Sequence, residues 1–454
     1  MNAKVKKRYG IISMTLLSLV CILACVYPAV HPDPAPDFKF DSGHLAWMLS
    51  ASGLVLIMTP GLSFFYGGMV RPKNVISTML QSFIALGVIS ILWYVVGFSL
   101  AFGESLGGII GNPMTFFMFD NVGTAPHDVL GHSIGGVAIP FILFAAFQMK
   151  FAIITPALIT GSFAERVRFW SYLVFICLFC IVVYCPLAHW TWHPEGFLFK
   201  WGVLDFAGGT VVHISAGFAA LAGSLVLGRR KYHIENGSHQ PANIPYVLIG
   251  TGLLWFGWFG FNAGSALEAS PIAVRAFVNT HLASASAMIT WIMLDVVRGK
   301  KASAMGACIG AVIGLVAITP GAGFMDFGPA VFTGFFASLV CGFALHKKEQ
   351  LGFDDTLDVF PCHGVGGIVG MVLTGVFAKV NLTDDIGLGL MYGETARFFN
   401  HMKGLGVVSV YTLGMSFVLY KITDWITPLR VTEEHEELGL DISQHRESIF
   451  YTES

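Results

Sequence analysis

The sequence predicts an all-α membrane protein of eleven transmembrane helices, and three observations predict it. Over 454 residues, hydrophobic side chains make up 55% and charged ones only 12%, where soluble domains carry roughly a quarter charged residues. Apolar stretches long enough to cross ~30 Å of hydrocarbon, about 20 residues each, recur along the chain. Basic residues alternate in density from one intervening loop to the next. Helices are required because backbone polar groups in hydrocarbon must be satisfied within the segment, and no ten-residue alternation points to a barrel. The same composition excludes disorder. With 26 Lys+Arg against 28 Asp+Glu and no basic domain, it argues against nucleic acid as a partner and for membrane lipid.

The N-terminus reads as a signal peptide over residues 1–29. Lys4, Lys6, Lys7 and Arg8 form a basic start, an apolar run follows from Ile11 to Val26, and then comes the Pro-rich stretch His31–Phe40. No clean A-x-A cleavage site is present; Ile22-Leu23-Ala24-Cys25 is a lipobox-like alternative. Beyond it, spans are predicted at 44–68, 75–102, 134–163, 169–188, 206–227, 245–264, 276–297, 302–319, 327–346, 363–379 and 402–423. One set of loops holds Arg71, Lys73, Arg166, Arg168, Arg229, Arg230, Lys231, Arg298, Lys300, Lys301, Lys347 and Lys348, twelve basic residues. The other set holds five: Lys200, Arg275, Lys379, Arg397 and Lys403. The positive-inside rule places the first set and the C-terminus in the cytoplasm and the mature N-terminus outside. A transmembrane domain then covers 30–423 and a polar cytoplasmic tail 424–454.

The 52 glycines favour close helix packing, as in Gly306-x-x-x-Gly310-x-x-x-Gly314. Most of the eight cysteines lie in apolar runs. Cys177 and Cys180 have C-x-x-C spacing without the strand-to-helix context of a redox motif, so they read as small buried hydrophobes.

The two halves echo one another. Asp205 precedes His213 by eight residues and Asp358 precedes His363 by five, each pair followed by a glycine-rich helix. Five spans plus five make odd-numbered halves, so the second is inverted, giving a 5+5 inverted repeat plus a final helix. Such repeats put a substrate path at their interface near the midplane. Ionisable residues at that depth are expensive and mark function. His213 and His363 are the leading pair, able to pass a proton or steady a small polar molecule. Asp205 fits both an N-cap and a carboxylate that favours a cation at the outer mouth. Phe151, Trp190, Trp192, Trp258, Phe259 and Phe261 form an outer aromatic group, and aromatic faces hold cations. His189-x-x-x-His193 has metal-like spacing but no carboxylate or thiol partner, so no metal is assigned. Lys150, inside the third span, either reaches the outer vestibule or turns to a neighbouring helix or headgroups.

At these residues the chain resembles the ammonium transporter family (Amt/Mep/Rh). The motifs are Phe64-Phe-Tyr-Gly-Gly-Met-Val-Arg-Pro-Lys-Asn74, Asp205-Phe-Ala-Gly-Gly-Thr-Val-Val-His213, Gly257-Trp-Phe-Gly-Phe-Asn-Ala-Gly-Ser265 and Asp358-Val-Phe-Pro-Cys-His363. The resemblance implies a homotrimer with one pore per subunit. It implies an outer ammonium site of Phe151, Trp192 and Ser265 supported by Asp205, a gate of Phe151 and Phe261 beside Gln148, and a pore with a proton relay of His213 and His363. Trp192 and Ser265 resemble the bacterial Amt branch rather than the Rhesus branch. The segment Pro428–Ser443 resembles the family's tail, which implies a PII-type regulatory partner and an inner (plasma) membrane location.

Ammonium transport is therefore the leading function, in which ammonium is deprotonated and ammonia crosses with separate proton transfer. A neutral ammonia gas channel and an ammonium sensor with little flux are the alternatives. No nucleophile–base–acid set or cofactor motif appears, so the chain does not read as an enzyme and no cofactor is expected.

Overall fold

The computed structural model describes residues 3–127, 139–237, 239–381 and 386–449. Among them are twelve helices long and apolar enough to cross a membrane: α1 (Arg8–Val26), α2 (Ser42–Met69), α3 (Pro72–Phe102), α4 (Phe141–Ser162), α5 (Phe169–Lys200), α6 (Gly209–Leu227), α7 (Ile244–Ala266), α8 (Pro271–Val297), α9 (Ala304–Gly321), α10 (Phe327–Leu351), α11 (Phe360–Phe377) and α12 (Thr395–Ile426). Eleven of them, α2 to α12, fall on the eleven predicted spans. Residues 134–138 of the third predicted span lie outside the described residues. The twelfth, α1, is the segment read as a signal peptide. Its apolar window is 0% buried, against 78% for α4, α6 and α9, so the fold does not need it for packing.

Local chemistry fixes several helix starts. Asp41, Asn243, Ser270 and Ser303 each accept a backbone N–H from three residues on, capping α2, α7, α8 and α9. The Ser270 cap and Pro271 in the first turn start α8 five residues before the predicted boundary at 276. Loops supply two short antiparallel β pairs, Ser105–Leu106 with Ile110–Gly111 and Lys379–Asn381 with Ile386–Leu388. The glycine ladder acts in packing. A Cβ on Gly306, Gly310 or Gly314 would lie 2.7, 2.7 and 2.4 Å from atoms of Asp295, Trp291 and Ala283, all on α8.

At one end of the bundle, charge is gathered into a buried layer. Glu165 accepts from Arg71 at 2.7 Å and from Arg230 at 3.0 Å, and Arg230 reaches Asp354 at 2.8 Å. Arg166, fully buried, donates to Thr356 Oγ1 at 2.7 Å and to Ser162 O at 3.0 Å. Burial works against the Glu165 charge, but Arg230 and Arg71 outweigh it and hold the carboxyl below its usual range. The tail closes over this layer. Arg168 N donates to Leu429 O and Val431 N to Arg166 O. Arg430 donates to Leu227 O, at the C-terminal end of α6, and to Arg229 O just beyond it. The Asp441 carboxylate accepts from Ile76 N and Ser77 N at the start of α3. This end is called the tail face below.

Two outcomes follow from the charged layer. Arg230→Met leaves Glu165 and Asp354 buried without their shared cation, and is expected to cost on the order of 3–5 kcal/mol, read as a lower Tm in detergent. Asp355 differs: burial pushes its carboxyl from 3.8 up to about 6, with Lys348 opposing. Its stabilising contribution is present below 3.8 and is lost as pH rises through about 6. Asp355→Asn is expected to flatten the fall in Tm over that interval; an unchanged slope would count against this assignment.

Candidate functional site

α6 and α11 both open on a π-type turn, Gly209–Ile214 and Phe360–Val365, and each turn carries one histidine. Such turns hold an extra residue and recur at functional sites. The start of α6 is set by Asp205. Its Oδ1 accepts from Gly208 N at 2.9 Å and Gly209 N at 2.6 Å, and its Oδ2 from Thr210 N at 2.7 Å and from the Thr210 hydroxyl. The carboxylate is thus committed to the backbone, and Asp205 acts through what it holds. Its carbonyl accepts from Trp192 Nε1 at 3.1 Å, fixing the indole plane. Asp355 plays the matching part on the tail face, accepting from Phe360 N at 2.7 Å.

His213 and His363 meet at the centre, both buried, with Nδ1 atoms 3.4 Å apart. His213 Nε2 lies 3.3 Å from Thr319 Oγ1, which donates to Leu315 O at 2.8 Å and accepts from Trp258 Nε1 at 3.0 Å. With the single Thr319 proton on Leu315 O, the network assigns His213 Nε2 as a donor to Thr319. In the neutral pair His213 Nδ1 is then the acceptor, His363 Nδ1–H the donor, and His363 Nε2 carries a lone pair. The two rings form a directional chain for a proton.

Above the pair, Phe151 and Phe261 stack with centroids 4.2 Å apart. Trp192 stands edge-on to Phe151 at 6.0 Å. Ser265 donates to Phe261 O at 2.8 Å, which leaves its oxygen free to accept. Below the stack, an apolar cavity is lined by Phe261, Ile154, Trp258, Val312 and the two histidines. A second cavity shares Val312 and His363 with it and reaches Cys362 and Asp358. A third, of about 510 Å³, shares Asp358 with the second and is lined by Lys348, Asp355 and Arg230 of the tail face. Trp192, Ser265, Phe151, Phe261, His213 and His363 thus follow one another toward the cavities that reach the tail face.

The profile of the Ammonium Transporter Family matches residues 46–450. The chain belongs to the ammonium transporter family. It is 44% identical to an ammonium transporter of Aquifex aeolicus over 422 residues, covering 92% of this chain and 95% of that one. It is 41% identical to an ammonium transporter of Bacillus subtilis over 409 residues, covering 90% and 98%. Among solved structures, Saccharomyces cerevisiae Mep2 superposes with TM-score 0.80 at 35% identity, covering 88% of this chain and 89% of Mep2. A structure described as a sensor Amt protein superposes with TM-score 0.79 at 29% identity, covering 89% and 98%.

Several members of the predicted aromatic group stand elsewhere in this ammonium transporter fold. Phe259 stacks on Phe277 of α8 at 4.0 Å, away from the line. Trp190 donates to Ile109 O at 2.7 Å and so pins a loop. Trp258 stacks on His213 at 5.4 Å, below the ring pair. His189 and His193 stack on each other at 4.3 Å. The nitrogens of His189 engage Ala101 O and Ser105 Oγ, and His193 Nδ1 accepts from Glu195 N. Among the described residues no group of three metal-ligating side chains forms. The Lys150 ammonium lies 3.9 Å from Met149 Sδ and makes no ion pair among the described residues. Gln148 is buried with its Oε1 unpartnered among the described residues.

Sequence reasoning missed Thr319 and His401. His401 Nε2 accepts from Leu204 N at 2.9 Å, holding the segment before Asp205 against α12. The available signal for Thr319 was a polar residue closing an apolar span; His401, among Arg397, Asn400 and Lys403, gave none.

Asp205→Ala removes the acceptor for three backbone N–H groups, each costing roughly 1–3 kcal/mol if left unsatisfied in a buried site. It is expected to abolish methylammonium uptake or folding, with Asp205→Asn intermediate; uptake at the parental level in the alanine variant would overturn the positioning role.

Proposed function

We propose that this protein recruits ammonium at Trp192, Ser265 and Phe151, removes its proton, and passes ammonia between Phe151 and Phe261 and along His213 and His363. The observation that carries this reading is an apolar cavity whose polar lining consists of the two coupled imidazoles. Ammonium and potassium carry the same charge at similar size. Stripping either ion of water costs many kcal/mol in such a cavity, but only ammonium can shed a proton and enter neutral. Selectivity then comes from forced deprotonation. The Trp192 and Phe151 faces attract the cation, and the Ser265 oxygen accepts one of its protons. The imidazole pair offers the released proton a separate route once both rings take the opposite tautomer: His213 Nε2 accepts, His213 Nδ1–H passes to His363 Nδ1, and His363 Nε2–H leaves on the tail side, so net charge moves with each ammonium.

The surrounding architecture is read in the same way. The basic loops and the tail share one face, which supports a cytoplasmic tail and a plasma-membrane protein with its mature N-terminus outside. The unburied α1 supports removal of residues 1–29 as a signal peptide, which leaves eleven spans in domain 30–423. α6 and α11 open at opposite faces with a capping aspartate and a histidine each, which supports the inverted 5+5 repeat. Family membership supports a homotrimer with one pore per subunit. The docked segment within 424–454 supports regulation by a PII-type partner.

The sensor-like neighbour favours a second reading, ammonium sensing with little flux. Methylammonium uptake with current recorded in parallel in reconstituted vesicles separates the readings. Uptake with current supports ammonium transport, uptake without current a gas channel, and binding without uptake a sensor. His213→Ala is expected to lower current at least ten-fold or to admit potassium; retention of both flux and selectivity would remove the imidazole relay.

A further inference from the structure

The passage leaves His363 beside one ion pair that the transport reading does not use. Asp358 lines both the cavity below His363 and the large tail-face cavity. With Met69, Ile309 and Leu357 it forms the junction between them, and it is the charged member. Its backbone is left-handed, φ 59°, an uncommon conformation for a non-glycine residue, though aspartate is among those that adopt it most readily. Its carboxylate is 21% exposed and is met by the Lys348 ammonium, 12% exposed, from the end of α10. Lys348 also donates to Asp355 O at 2.8 Å, which fixes its reach across the mouth. Arg230, the other permanent cation on this cavity, is committed to Glu165 and Asp354. His233 lies 3.9 Å from Asp354, and His239 bonds Met69 O. Lys348 is therefore the cation that answers Asp358.

An ammonia molecule emerging past His363 regains a proton on meeting water. A bare carboxylate at the rim of an apolar passage would bind the ammonium so formed, because desolvated walls strengthen its field. It would equally collect potassium from the tail side. We infer that Lys348 cancels the Asp358 carboxylate at this mouth, so that re-formed ammonium is released and tail-side cations are not drawn in. Lys348 is a specificity-determining residue here rather than a catalytic one. The inference rests on the ammonium transport reading.

The two partners make opposite predictions, which a merely structural pair would not. In vesicles of known orientation, methylammonium flux is titrated with ammonium or potassium added on the tail side, then on the opposite side. Lys348→Met is expected to lower the half-inhibiting tail-side concentration on the order of tenfold, the scale of one partly screened charge, and to let potassium compete. Asp358→Asn is expected to shift it the other way, and Lys348→Met with Asp358→Asn to return it near the parental value. Inhibition from the opposite side stays unchanged throughout. Shifts of the same sign in both single variants, or no tail-side shift in either, would overturn the inference while leaving the transport reading intact. Parental vesicles without flux would overturn both. Should Lys348→Met fail to fold, Lys348→Gln removes the same charge, and Asp358→Asn tests the opposite sign alone.

Discussion

Two glycines hold the centre of this molecule together. A Cβ on Gly217 of α6 would lie 2.2 Å from both Cα and N of Gly364 on α11, a separation no side chain can occupy. The backbones of the two helices are therefore in direct contact, as small residues permit in lipid. Gly364 directly follows His363, and Gly217 lies one turn past His213, so the crossing sets the reach between the imidazoles. The 3.4 Å contact between their nitrogens, the cavity they line and the direction of their hydrogen bonds all depend on it. A second close approach, Gly367 against Gly209 O and Ile214, stops the helices from rotating about the first.

The caps at the two helix starts serve the same end. Asp205 and Asp355 each anchor the opening turn of a histidine helix, from opposite faces of the bundle. The carboxylates hold backbone donors that a π-type turn leaves unsatisfied. Rigid anchoring fixes the 3.4 Å contact between the ring nitrogens. Trp192, bonded to the Asp205 carbonyl, inherits its position from the same anchor. The outer aromatic site and the imidazole pair are thus both positioned from the braced start of α6.

The spans were legible in the sequence because hydrocarbon thickness dictates their length, and the loop charges marked their alternation. Their ends were less legible. α10 runs to Leu351 and α12 begins at Thr395, beyond the apolar stretches, because helices continue into the polar interface on residues such as Lys348 and His401. The line of site residues was legible through motifs whose order along the chain matched the spans. What stayed hidden was pairing across distant segments and helix phase. Nothing local to Thr319 signals that it holds His213, and Phe259 turns to α8 while Phe261, two residues on, turns to Phe151. The capping role of Asp205 was legible and holds, with three backbone donors on its carboxylate; the π-type turn it caps was not.

The tail, described above as closing the charged layer, also has the character of a tethered ligand. Its contacts with the ends of α3 and α6 are made by a segment that cannot diffuse away, so it faces its own binding surface at an effective concentration on the order of millimolar. Any soluble molecule that takes the tail, or its place, competes with an occupant already present. Weak encounters leave the helix ends as they are, and only an affinity or concentration above that standing competition alters them. The contact therefore acts as a threshold as well as a brace.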